Sequence, residues 1–249
     1  MRILGYVFLI TGVALYFIST KFAAGYPDSA QILPQMKIEP AQTQATSAEF
    51  KASAEGVEYT VTPLYDYELY GMVVSFHHSK ELSDMAHRLW KDYLNVADIC
   101  VLWGTNLDAN LYENFEFASG NFTCFFRTNL DAAFQKFDKY KISNNHLITV
   151  DPAIKKTILK ARRGDQIYFK GFLANYSQNS GATRKSSTTR LDEGQGACEV
   201  VYVTDFRILK STNMPWRAAR AGSLLLTAVG LIVLIAGFFS STPAPVRLE

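Results

Sequence analysis

The sequence has little of what binds metal or carries redox chemistry. It contains four histidines and three cysteines in 249 residues. Cys100, Cys124 and Cys198 are spaced 24 and 74 apart, and neither spacing makes a CxxC redox pair or a zinc ribbon. His77 and His78 are adjacent, so on a strand they point to opposite faces and do not share an ion. His87 falls in a separate predicted helix, and no H-E-x-x-H run occurs. The expectation is no metal and no cofactor, with these histidines at the surface. An odd cysteine count allows at most one internal disulfide. One bridge and a spare thiol suit an oxidising compartment, and three reduced buried thiols suit the cytosol. No internal repeat is visible.

Charge is also scarce, at 19% of residues, with 25 basic against 23 acidic side chains. Setting aside Arg2, Lys21, Arg217, Arg220, Arg247 and Glu249 leaves 20 basic and 22 acidic residues, a balance of −2. That balance argues against a nucleic-acid partner, which needs a basic face to displace condensed counterions.

Two runs lack charge altogether. Residues 3–20 would extend about 27 Å as a helix, and residues 221–240 about 30 Å, the thickness of a bilayer core. Arg2 makes a short positive start, but Phe22-Ala23-Ala24 is a poor cleavage site, so the first run is read as an uncleaved signal anchor. Trp216 stands where an interfacial aromatic is expected. Gly12, Gly222, Gly230 and Gly237 are small enough to support helix packing, without a GxxxG motif. The expected layout is a transmembrane helix at 1–22, a flexible linker at 23–56, an α+β domain at 57–213, a second transmembrane helix at 217–241 and a tail at 242–249. The linker reading rests on Ala, Gln, Ser, Thr and three prolines, with few large apolar residues to offset ordering entropy.

Inside the domain, residues 57–76 alternate as two β-runs interrupted at Pro63 and Asp66. Residues 80–93 form an amphipathic helix, with Leu82, Met85, Ala86, Leu89, Trp90 and Tyr93 on one face. Strands are expected at 98–104 and 121–127, with a loop between them and a short helix or aromatic loop within 128–147. A second helix covers 151–164, with Asp151 as N-cap, Pro152 at the first turn and Gly164 after the end. Strands follow at 164–176 and 198–209, separated by a polar loop. The fold class is therefore α+β: a mainly antiparallel curved sheet or small OB-like barrel with two amphipathic helices, flanked by transmembrane helices.

The run GDQIYFKGFLANY at 164–176, with the segment Ser186-Ser187-Thr188-Thr189-Arg190-Leu191-Asp192-Glu193-Gly194-Gln195-Gly196-Ala197-Cys198-Glu199, resembles an uncharacterised group of bacterial envelope proteins. Their domain ends in SS-x-x-R-x-D-x-G-x-G-A-C-E, and TPLYDYELYGMVVS, LNVADICVLWG and NHLI are also similar, so that the resemblance covers most of 59–209. It implies export to the envelope and carries no activity. The group lacks the C-terminal span present here. Lys and Arg near the spans slightly favour the opposite side, but long loops translocate regardless of charge. The expected location is the bacterial inner membrane with the domain outside the cytoplasm.

The best ligand-binding candidates are Arg190, Asp192, Gly194, Gly196 and Glu199. The glycines permit close backbone approach and the charged groups would orient a polar ligand. The plainer alternative is a turn closed by an Arg–Asp pair, with Cys198 a small buried side chain. Cys198 and His146 are the weak catalytic candidates, needing an orienting acid such as Asp165 or Asp205. The expected function is a non-enzymatic membrane-tethered module binding an envelope partner. The alternatives are a membrane-bound Cys/His hydrolase and an OB-like domain for oligonucleotides or anionic ligands. The partners expected are the lipid bilayer and a membrane or envelope protein.

Overall fold

The computed structural model describes residues 2–79, 89–120, 123–179, 181–189, 191–192 and 197–240. The chain divides into a unit built from its two ends and a domain spanning Tyr26–Ser211.

The first unit is a pair of helices, α1 (Arg2–Ala23) and α4 (Met214–Phe239), both long and apolar enough to cross a membrane. They meet on their smallest residues. Gly5, Gly12 and Ser19 are buried on α1, and Ser223, Gly230 and Gly237 on α4. Each set repeats every seventh residue, which keeps it on one helix face. A Cβ on Gly230 would lie 2.6 Å from the Leu9 backbone nitrogen, and one on Gly12 would collide with Thr227. Gly5 and Ser19, overlooked in the sequence, complete the stripe that Gly12 begins. Near the ends of the pair, Phe22 stacks on Trp216 at 4.7 Å and Asn213 Nδ2 donates to the Gly25 carbonyl at 2.9 Å.

The domain is α+β with a mixed, mainly antiparallel sheet. Its strands are β1 (Ala41–Gln44), β2 (Phe50–Ala54), β3 (Val57–His78), β4 (Asn95–Leu102), β7 (Ile142–Ile148), β8 (Gln166–Gln178), β9 (Thr183–Arg184) and β10 (Glu199–Lys210). A separate hairpin joins β5 (Glu116–Gly120) to β6 (Thr123–Arg127). Short helices α2 (Asp131–Lys136) and α3 (Pro152–Ile158) precede β7 and β8. The pairings run β3–β4–β7–β10–β8 and return to β3, because β3 pairs β8 through 59–72 and β4 through 72–78. Among the described strands only β7 and β10 are parallel, and the chain between them passes through α3, β8 and β9.

The two expected β-runs at 57–76 are one long strand. Pro63 has no N–H to donate, and the β3–β8 register shifts between Pro63 and Tyr65 rather than ending. Gly171, opposite Tyr67 and Val203, lets three strands approach, since a Cβ there would collide with the Tyr202 carbonyl. The core on one side of the sheet gathers Tyr67, Leu69, Ile99, Val101, Trp103, Phe169, Val201 and Phe206, with Ile158 and Ala161 packed on it. Each large apolar side chain buried there contributes about 1.5–3 kcal/mol. Asp151 caps α3 as expected, accepting from Ala153 N at 2.7 Å and Ile154 N at 3.0 Å. The helix stops at Ile158, however, so Lys160, Arg162 and Arg163 lie beyond it in the turn that leads to Gly164 (φ +83°) and β8.

The expected linker at 23–56 is largely structured. Ile32 and Met36 are buried against Met72, Val74, Leu102 and Tyr112. Gln166 holds this segment by its amide, accepting from Leu33 N at 2.6 Å and donating to the Gln31 carbonyl at 3.0 Å. Strands β2 and β1 then pair with β3 along the edge that β4 continues. A few well-placed apolar residues and one long receiving strand outweigh a composition poor in apolar mass. Most of the amphipathic helix expected at 80–93, His87 included, lies outside the described residues. The expected loop at 105–120 holds a kinked 3-10 segment (Gly104–Asn114) and β5.

Candidate functional site

Strands β3, β4 and β7 carry polar side chains on the face opposite the core, and the start of β10 continues their rows. Register places them in two rows. Ser75, Cys100 and Asn144 are successive partners, and Cys198 follows beside Asn144, just before β10. The neighbouring row is His77, Asp98, His146 and Val200. Alternation dictates this: Ser75 and His77, Asp98 and Cys100, Asn144 and His146 are each two apart, so each pair shares a face. His77 is 8% exposed, which corrects the surface reading of that histidine. Cys100 and Cys124 form a disulfide, with Cα atoms 5.9 Å apart, that fastens the β5–β6 hairpin to this face.

Above the rows lies a cleft of about 1030 Å³. Ser143, Asn144 and His146 of β7 line it with Tyr176 and Gln178 of β8, residues 182–185 and 197–198 of the following loop, Thr123–Phe126 of β6, and Trp90 and Asp92. Trp90 and Phe125 expose 59% and 57% of their surface, so the cleft offers aromatic faces to a ligand.

The polar groups are tightly connected. His146 Nδ1 lies 2.6 Å from Asp98 Oδ1, with both side chains fully buried. Asn95 Nδ2 donates to the same oxygen at 2.8 Å. The Arg184 guanidinium reaches over the ring, with Nη2 3.0 Å from His146 Nε2. Asp92 Oδ2 accepts from the Tyr176 hydroxyl at 2.7 Å and faces Arg184 Nη1 at 4.0 Å. Burial, reinforced by the Asp92 carboxylate, holds the Tyr176 hydroxyl well above its ordinary range. Asn144 Nδ2 donates to Cys198 Sγ at 3.5 Å, while Asn144 Oδ1 is buried with no hydrogen-bond partner among the described residues. Burial pushes the Cys198 thiol up, outweighing the Asn144 hydrogen bond.

Of the expected site residues, Cys198 and His146 do come together in this cleft. The orienting acid is neither Asp165 nor Asp205. Asp165 Oδ2 accepts from Arg162 N at 2.9 Å, and Asp205 pairs with Arg207 at 2.6 Å. Asp98 takes the place beside the imidazole because β4 and β7 register them as direct partners. Asp192 lines the cleft, accepting from Ser187 Oγ at 2.6 Å. Glu199 is buried at the start of β10 opposite Asn145. Arg190, Gly194 and Gly196 lie outside the described residues. The sequence reading missed Asp98, Asn144, Asp92 and Tyr176. The signal for Asp98 was an acid standing before an apolar run, and for Asn144 its place two residues before His146, on the same strand face.

No cluster of three or more histidine, cysteine or acidic side chains suited to a metal occurs among the described residues. No protein-family model, curated protein or solved structure matches the chain.

Proposed function

We propose that the chain is a membrane-anchored binding module of the bacterial envelope, with a non-catalytic domain on the extracytoplasmic side. The cleft carries this reading: it is large and has aromatic walls in the exposed Trp90 and Phe125. Small-molecule sites run to roughly 1000 Å³, so an extended ligand or a partner's segment suits this one. The closed cycle of pairings supports reading the domain as a small OB-like barrel. Its five strands are β3, β4, β7, β8 and β10; the third and fifth are parallel, and α3 lies between the third and fourth. Such barrels take ligands on the face of their second and third strands and the flanking loops. Here those strands are β4 and β7.

The anchor reading rests on α1 and α4, and the side on the Cys100–Cys124 disulfide, which belongs in an oxidising compartment. The resemblance of 59–209 to envelope proteins points the same way. Charge in the cleft is nearly balanced, with Lys139, Arg184 and Lys185 against Asp92 and Asp192, so a polyanion is disfavoured.

One observation favours a Cys/His hydrolase: the Asp98–His146 pair shares the cleft with Cys198. Two features weigh against it. A general base must contact the group it deprotonates, and the hydrogen bond described at Cys198 Sγ comes from Asn144 Nδ2. A thiol nucleophile needs a lowered pKa, and burial raises that of Cys198.

The test is photo-crosslinking in cells with benzoylphenylalanine at Phe125 or Trp90, and at Leu209, outside the cleft lining, as control. Adducts at the two cleft positions only, retained in Cys198→Ala, are expected. Equal yields at all three positions would sink the binding reading, and adduct loss with Cys198→Ala would favour the hydrolase. Phosphatase and fluorescent-protein fusions after Gly56 report the side, with phosphatase activity expected.

A further inference from the structure

We propose that Cys198 and the Cys100–Cys124 disulfide form a thiol–disulfide exchange site, in which the bond to Cys124 passes from Cys100 to Cys198. Three observations place the sulfurs. Cys100 and Asn144 are direct partners across β4 and β7. Asn144 Nδ2 reaches Cys198 Sγ at 3.5 Å from the other side. Cys124 and Cys198 line the same cleft, whereas Cys100 is fully buried beneath it.

Spacing decides which pairs can bond. Neighbouring strands lie about 4.8 Å apart, so Cys100 and Cys198, two strands apart, stand roughly 10 Å from one another. A disulfide needs Cα atoms within about 7 Å. Cys100 and Cys198 therefore do not bond directly. Cys124 enters on the hairpin above the sheet rather than from a strand of the row, so it is the sulfur that both can share.

The step is balanced within the chain. Cys198 loses its proton to solvent, and its thiolate attacks Cys124 Sγ. The Cys124–Cys198 bond forms as the Cys100–Cys124 bond breaks. Cys100 leaves as a thiolate and takes a proton from solvent. One disulfide and one thiol remain, with no net oxidation. The thiolate is the attacking species, and burial keeps Cys198 largely protonated, so exchange is slow at neutral pH and quickens as pH rises. Exchange moves the anchor of the β5–β6 hairpin from β4 towards β10, across Asn144 and the cleft. That consequence rests on the cleft being a binding site; the exchange does not, so its failure leaves the binding reading untouched.

The test uses the full chain in detergent micelles, oxidised with oxidised glutathione at alkaline pH and mapped by non-reducing peptide mass spectrometry. In Cys100→Ser, a Cys124–Cys198 link is expected in most molecules. In Cys124→Ser, Cys100 and Cys198 are expected to stay unlinked to each other. Separate thiols or glutathione adducts in the first variant, or a Cys100–Cys198 link in the second, would overturn the proposal. A second measurement covers failure of the first variant to fold. The unreduced wild type and Cys198→Ser are equilibrated at the same pH, quenched with acid, and alkylated with N-ethylmaleimide in denaturant at mildly acidic pH, so that burial does not shield Cys100. Exchange frees the Cys100 thiol only in the wild type, so at least tenfold more Cys100 alkylation is expected there. Equal alkylation would overturn it.

Discussion

The helix pair and the domain are held together by side chains of opposite size. The helices meet on Gly5, Gly12, Ser19, Ser223, Gly230 and Gly237, while the domain buries Trp103, Tyr59, Tyr67, Tyr112 and Phe169 completely. With the helix pair crossing a membrane, as proposed, the solvent explains the difference. In water, removing apolar area is itself the driving force, so large side chains go inside. Among lipid tails that force is absent, and helices associate where small residues let backbones come close. Accordingly the large apolar residues of α1 and α4, such as Ile10, Phe17, Leu225 and Ile232, point outward.

The strongest challenge to this contrast is Gly171, where the domain also depends on a missing side chain. Gly171→Ala places a Cβ against the Tyr202 carbonyl and should cost about 3 kcal/mol or more, as overpacking against a backbone that cannot yield. Guanidinium denaturation of the full chain in micelles measures it; a loss under 1 kcal/mol would mean that β8 and β10 readily shift apart. Next in size is Asp98→Asn, which removes the charged partner of a buried imidazole. A hydrogen bond to a charged group contributes about 1.5–3 kcal/mol, and a loss in that range is expected in the same titration. Gly230→Leu should loosen the helix pair by about 1–3 kcal/mol while leaving the domain transition unchanged. Circular dichroism during titration with dodecyl sulfate would separate the two, and a matching shift in both transitions would remove the distinction drawn here.

Alkali should act on the domain alone. Burial pushes the Tyr59 hydroxyl up to about 12, and the Tyr176 hydroxyl also lies well above its usual range. A raised folded-state pKa means that the folded form holds its proton more tightly than the unfolded form. The associated stability is complete below the ordinary tyrosine value of about 10 and is lost as pH rises towards the folded value. The domain's melting temperature should therefore fall between about pH 10 and 12, and a flat profile would contradict the burial of these hydroxyls. The smallest effect expected is that of Cys198→Ala, within about 1 kcal/mol, because the thiol behaves as a small apolar group.

Much of the framework was legible in residue order. Asp151-Pro152 announces a helix start by local chemistry, and the strands 98–104, 164–176 and 198–209 emerge close to where their apolar, β-branched and aromatic runs put them. Patterning was less informative at 26–54. There Tyr26, Ile32 and Met36 are too sparse to form a stripe, and their burial depends on a β3–β4 face supplied from elsewhere. The candidate site was legible only as types. Cys198 and His146 were picked out, but the partner acid was sought at Asp165 and Asp205 instead of Asp98, because sequence distance carries no information about cross-strand register.

By itself the sequence determined the two uncharged runs, the modest charge of what lies between them, and the alternation that puts Ser75 with His77, and Asp98 with Cys100, on one side of their strands. These follow from local periodicity and composition, whereas the strand that carries Asn144 and His146 emerged only in the structure. Only the tertiary structure decided that Cys100 bonds Cys124 and leaves Cys198 outside the disulfide, that Asp98 stands beside His146, and that a tether-like segment covers the sheet. Those outcomes depend on which strands become neighbours and in what register, and a one-residue slip would turn every one of these side chains to the other face.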